Sequence, residues 1–189
     1  MAFLQQELRI LGQKPVRRTF FMVNEVVENM AAHRERYVFL SHSNQDSDLA
    51  RGFVNQAHDL GVNVYFDLYD SSLTLPPSAD TAKRLKNRIR NAAHFILLAT
   101  RNSIVMSRWC PWELGCADGF HIPISIAQTK DDSGNEWGAE YLQLYHSVDV
   151  RIDPSYRRRM ARMLPRRKSD TTSVFEKWCD TVSLSEGIR

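Results

Sequence analysis

From Tyr37 onward the chain alternates short apolar runs with amphipathic segments, and this rhythm constrains its fold more than any other feature. "YVFLS", "VNVYF", "HFILLAT" and "IPISIA" are too short for helices and rich in β-branched and aromatic residues, so they read as buried strands. Between the first two, Leu49, Phe53, Ala57 and Leu60 recur on one helical face, and Gly61 supplies the stop. Ala82, Leu85, Ile89 and Ala92 mark a second helix, with Lys83, Arg84, Lys86, Arg88 and Arg90 mostly on its wet side. A third helix carries "SRWCPWELG" and ends near Gly119. "YLQLYHSVDVR" reads as an edge strand with its lead-in, and "VFEKWCDTV" as a closing helix. Strand and helix alternating over short connections predict a parallel sheet with helices on both faces. Ligands of such sheets bind at the carboxyl ends of the strands. That singles out the loops "SHSNQD", "DLYDSSLTLPPSAD" and "RNSIVMSRW".

The first 36 residues follow a different pattern. "MAFLQQELRILGQ" and "FFMVNEVVENMAAHRER" have helical spacing, and Pro15 in the "KPVRR" between them prevents one continuous helix. We read residues 1–36 as a helical extension and 37–189 as the main domain, its motif-bearing core at 37–150 and a helical part at 151–189. The extension can cap the core or form an oligomer interface, and its spacing suits both. A length of 189 residues suffices for one sizeable core, and 43% apolar with 25% charged residues is ordinary globular composition. A net charge of +3 does not by itself imply nucleic acid. The basic run "SYRRRMARMLPRRK" holds seven cationic residues but no interleaved aromatic platform, and reads as a solvated face. Three cysteines without a CxxC pair imply reduced thiols in a cytoplasmic setting. Cys110 and Cys116 point apart on one helix, so no metal site is expected. No apolar run reaches the ~18 residues of a membrane span.

Two motifs carry chemistry. In "SRWCPWELG", Trp109 and Glu113 are four apart and share a helical face, with Ser107 as cap and Pro111 tolerated near the start. A ligand-facing pair of indole and carboxylate is one reading. A core tryptophan beside a glutamate that suits the helix dipole in a first turn is the other. In "FLSHSNQD", Ser41, His42 and Ser43 stand at the end of the first strand, where amides entering the next helix can cradle an anion. A capped helix with an incidental histidine explains them equally.

Taken together and in order, "YVFLSHSNQD", "GVNVYFD" and "HFILLATRNSIVMSRWCPWELGCAD" resemble a Toll/interleukin receptor (TIR) domain over about residues 36–150. The third block is similar to the serine, Trp-Cys and Glu-Leu pattern of plant and bacterial members, including their WxxxE element. The resemblance implies a flavodoxin-like α/β sandwich around a five-stranded parallel sheet. It also implies NAD+ as substrate rather than cofactor, cleaved at the nicotinamide–ribose bond to ADP-ribose or a cyclic isomer, in bacterial antiphage signalling or as an effector. By resemblance, Glu113 is the catalytic carboxylate and Trp109 the stacking ring. Ser41, His42, Ser43 and Asp67 line the substrate site. Self-association through TIR–TIR contacts and a downstream protein that senses the product are the implied partners.

The alternative within the family is a non-enzymatic adaptor acting by assembly, for which the Trp109–Glu113 pair has no use. A receiver domain would need acidic residues where "SHSN" stands, and a deoxyribosyltransferase-like hydrolase does not account for the ordered blocks. Two departures from the family pattern stand out. The loop "DLYDSSLTLPPSAD" is long and carries Pro76 and Pro77, and the first-strand loop lacks the paired arginines of some animal members.

Overall fold

The computed structural model describes residues 2–16, 37–59, 62, 64–67 and 78–148. The second N-terminal segment, the Pro76–Pro77 loop, the basic run and the closing "VFEKWCDTV" segment lie outside the described residues. The elements in chain order are β1 (Phe3–Leu4), α1 (Gln5–Gly12), β2 (Val38–Ser41), α2 (Ser47–Asp59), β3 (Val64–Tyr65), α3 (Ala79–Asn91), β4 (His94–Ala99), α4 (Trp109–Gly119), β5 (Ile124–Lys130) and β6 (His146–Ser147). Short 3-10 turns at Asn44–Asp46 and Glu140–Leu144 and a π-type turn at Asn102–Met106 link them.

Every strand pair is parallel, in the order β1-β5-β4-β2-β3, with β6 also on β5. The two edge segments pair with different stretches of β5: β1 with Thr129 and Lys130, β6 with Ser125 and Ile126. Since β4 takes the other side of β5, they share one position, and six segments occupy the five positions of an open flavodoxin-like α/β sheet. Buried strands of this kind need apolar residues on both faces, which is why "HFILLA" is buried throughout. Alternation then sorts the side chains. Val38, Leu40, Ile96 and Leu98 join Leu8, Leu49 and Phe53 of α1 and α2 on one face. Phe39, Phe95 and Leu97 join Leu85, Ile89 and Leu114 of α3 and α4 on the other.

The N-terminal segment departs from the helical reading in one respect. Phe3 and Leu4 are strand, and the helix starts at Gln5. The short strand lets Gln5 donate through Nε2 to Thr129 Oγ1 at 2.9 Å, deep under β5. Of the two roles open to the extension, α1 takes the capping one, packing its Leu8 against α2. The helices approach so closely that a Cβ on Gly52 would sit 1.9 Å from the Leu8 carbonyl oxygen, and one on Gly12 2.1 Å from that of Asp48. Asn55 seals the contact by donating to the Leu11 carbonyl at 2.9 Å. Strand order turns between β2 and β4, since the chain leaves β2 outward to β3 and then crosses back to β4. The carboxyl ends of β2 and β4 are therefore the place to look for a site.

Candidate functional site

The period of two that buries Phe39 against α4 also aims Ser41, the last residue of β2, at that helix. On α4, Cys110, Glu113, Leu114 and Ala117 are buried, a spacing that forms one stripe against the sheet. Glu113 thus occupies a core position. It is only 6% exposed, and the Ser41 hydroxyl donates to its Oε2 at 2.6 Å. This corrects the reading of Glu113 as a first-turn residue that serves the helix dipole. Helix α4 starts at Trp109, so Glu113 lies in the second turn, and its carboxyl is held by Ser41 rather than by the helix start. The helix start is capped by Ser107, whose Oγ accepts from the amides of Trp109 and Cys110, each at 3.1 Å.

Burial pushes the Glu113 carboxyl up to about 8, the charge of Asp67 adds to this, and the Ser41 hydrogen bond opposes it. A buried carboxyl takes up a proton rather than bear the cost of an unpaired charge in a weakly polarisable surrounding. Its neighbour Cys110 is likewise raised to about 12, mainly by burial and then by Glu113. Near neutral pH the buried Glu113 is therefore favoured as the neutral acid.

His42 and Asp67 form the adjoining pair. His42 is buried, its ring packs on Phe66 with centroids 4.6 Å apart, and its Nε2 is 3.4 Å from Asp67 Oδ1. This contact joins the loop after β2 to the end of β3. Ser43 has a different part: its Oγ accepts from the Gln45 amide at 3.4 Å and starts the 3-10 turn, as a capping residue does. Trp109 is half-buried at the margin of the core cluster on this face, with Trp112 edge-on at 5.1 Å between centroids. Lys86 of α3 sits over the Trp112 ring at 5.6 Å. The structure brings Ser41 and Glu113 into contact and His42 and Asp67 into contact, while Trp109 packs on Trp112 and Ser43 caps the turn after β2.

One set of residues here escaped sequence reasoning. Asp46 is 6% exposed, and accepts from Thr100 Oγ1 at 2.5 Å and Asn102 Nδ2 at 2.7 Å. Ser103 supports it, accepting from the Thr100 amide at 2.9 Å and donating to the Leu98 carbonyl at 2.7 Å. "SNQD" reads as a polar helix entry, and nothing local reveals that its donors lie more than fifty residues away. A groove of about 680 Å3 between β5, β6 and the Glu140–Leu144 turn is lined by none of the six residues assigned to the substrate site. Among the described residues no group of His, Cys, Asp or Glu is arranged to hold a metal ion, and no helix is long and apolar enough to cross a membrane.

Comparison with known proteins agrees with the fold. Over 133 residues the chain is 33% identical to the probable 3' cyclic ADP-D-ribose synthase ThsB' of Bacillus cereus (strain MSX-D12), covering 67% of each chain. The TIR domain family model matches residues 38–164, a span that holds β2 through β6 and every residue of the candidate site. With more than half of its length under that model, the chain belongs to the TIR domain family.

Proposed function

We propose that this TIR domain cleaves NAD+ at the nicotinamide–ribose bond, with Glu113 as the catalytic carboxylate, and releases nicotinamide with a cyclic ADP-ribose. The observation that carries the reading is the buried Glu113 carboxyl held by Ser41 at 2.6 Å, at the turning point of the sheet. The chemistry asks little else of the protein. As the glycosidic bond breaks, its electron pair moves to the ring nitrogen, which is cationic in the substrate, and nicotinamide leaves neutral. A nucleophile of the same molecule then bonds to the vacated ribose carbon, closing the ring, and any proton it carries passes to solvent. No general acid is required, in contrast to cleavage of an ordinary glycoside. The need is for a negative group beside the ribose as it gains positive charge, supplied without reorganisation. As the cationic pyridinium docks, the neutral glutamic acid releases its proton to solvent, so charge appears beside the ribose.

Trp109 offers an indole face to a flat ring, worth roughly 1–3 kcal/mol by analogy with base stacking. Ser41, His42, Ser43 and Asp67 bound the ribose and phosphate side, with the amides entering α2 available to the pyrophosphate. Cyclisation over hydrolysis is favoured by the likeness to a protein named as a cyclic ADP-D-ribose synthase. Copies of the chain associate through TIR–TIR contacts in the active form, on this reading.

The test is to incubate the protein with NAD+ and identify products by mass. Nicotinamide with a cyclic isomer is the expected result, and ADP-ribose instead would make the enzyme a hydrolase. Glu113→Gln keeps the shape of the neutral acid and removes its ability to ionise, so turnover should fall at least about a hundredfold. Undiminished turnover in that variant would remove Glu113 from the mechanism. Intact NAD+ at every protein concentration tried would leave an adaptor that acts by assembly alone.

A further inference from the structure

We propose that Asp46 is a positioning residue that sets the distance between the substrate loop after β2 and the helix that carries Trp109 and Glu113. The inference rests on the catalytic reading above and extends it to a residue outside the assigned set. Asp46 follows the loop directly, with its own amide donating to the Ser43 carbonyl at 2.8 Å. Its two carboxylate oxygens then take the Thr100 hydroxyl and the Asn102 amide, one each, at the exit of β4. From Asn102 the connection continues, since its carbonyl accepts from the Ser107 amide at 2.8 Å. Ser107 caps α4 through the amides of Trp109 and Cys110, and one turn later Glu113 returns to Ser41.

These contacts close a ring: β2 loop, Asp46, β4 exit, Ser107, α4, Glu113, and back to β2. Its two non-local closures are Asp46 with Thr100 and Asn102, and Ser41 with Glu113. Both span the crevice at which strand order turns. Asp46 stands immediately before α2, where a carboxylate also meets the positive end of that helix, so its charge is compensated without a cation. With the Thr100 hydroxyl and the Asn102 amide both donating, a carboxylate at position 46 supplies one acceptor oxygen to each. If the closure at Asp46 is lost, the Ser41–Glu113 bond is the remaining hydrogen bond among the described residues that ties the end of β2 to α4 beyond their apolar packing, and the reacting groups drift. A misplacement near 1 Å costs on the order of a hundredfold in rate.

The experiment compares Asp46→Asn, Asn102→Ala and the exchange Asp46→Asn with Asn102→Asp, each in the full chain beside wild type and Glu113→Gln. We expect kcat/KM for NAD+ to fall about ten- to a hundredfold in Asp46→Asn, mostly in kcat, and several-fold in Asn102→Ala. The exchange should recover it to within about threefold, because donor and acceptor have only traded sides. A second readout does not depend on turnover. The ionisation of Glu113, followed by carbon NMR of labelled glutamate and assigned with Glu113→Gln, should move down in Asp46→Asn and return in the exchange. Among the described residues, the titratable groups that act on Glu113 are Asp67 at the end of β3, paired with His42, and Cys110 and Cys116 on α4, and none of them is altered. Wild-type rates and a wild-type Glu113 titration in both Asp46→Asn and Asn102→Ala would overturn the proposal. If wild type does not cleave NAD+, the catalytic reading fails and the Glu113 titration still decides this one. Should Asp46→Asn fail to fold, Asn102→Ala, at a half-buried position, carries the same comparison.

Discussion

Glu113 stands where an amphipathic helix would place a leucine, and the consequences are testable by pH. A carboxyl held up to about 8 is neutral below that value, so free enzyme near neutrality is largely in the protonated form. The profile of kcat/KM reports groups of the free enzyme. It should therefore rise with pH through a midpoint near 8 and level off above, whereas kcat at saturation, with the cation bound, should titrate lower. A kcat/KM profile flat from pH 6 to 9 would show that Glu113 is already ionised in the free enzyme. The linkage to stability has the opposite sense. The fold binds this proton more tightly than the unfolded chain, whose value lies near 4.5, so stability is full below about 4.5 and declines as pH rises toward 8. Glu113→Gln removes that decline, and melting temperatures of the two proteins should diverge in the variant's favour between pH 5 and 8. At this scale the chemistry was partly legible. Trp109 and Glu113 could be named from spacing, but burial of Glu113 depends on what α4 faces. Cys110, Leu114 and Ala117 on the same stripe are the signal that it would be inside.

Among the elements, α1 and α2 are matched through two glycines. The Gly52 position leaves no room for a Cβ, since the Leu8 carbonyl oxygen would be 1.9 Å away and belongs to backbone that cannot rotate aside. Gly52→Ala should force the helices apart and destabilise by about 1–3 kcal/mol, as overpacked cores do, against the gain of up to about 1 kcal/mol that alanine brings to a helix interior. Urea denaturation checks the sign, and a stabilised variant would mean that α1 is not held against α2. The described helices and the strands β2, β4 and β5 were legible because each lies in a segment long enough to repeat its own period, and their observed spans overlap the expected segments. The two-residue β1 was not, because Phe3 and Leu4 alternate too briefly to show a period of two and become strand only through the neighbouring β5.

For the molecule as a whole, the family match begins at residue 38, yet the fold uses residues well before it. Phe3 and Leu8 are 9% and 1% exposed, and full burial of side chains of this size is worth about 1.5–3 kcal/mol each. A chain lacking residues 1–12 should thus lose several kcal/mol out of a typical 5–15. At this length that lowers the melting temperature on the order of 10 °C. An unchanged melting temperature would mean that α1 lies on the domain without supporting it. By itself the sequence determined the parallel α/β plan and the order of its strands' apolar runs, because periodicity and capping are local and act on neighbours along the chain. Tertiary structure alone decided that Ser41 holds Glu113, that Asp46 ties the β2 loop to β4, and that the N-terminus completes the sheet edge. Those contacts join residues separated by fifty to more than a hundred positions, and their energies depend on burial, which exists only once the layers have closed.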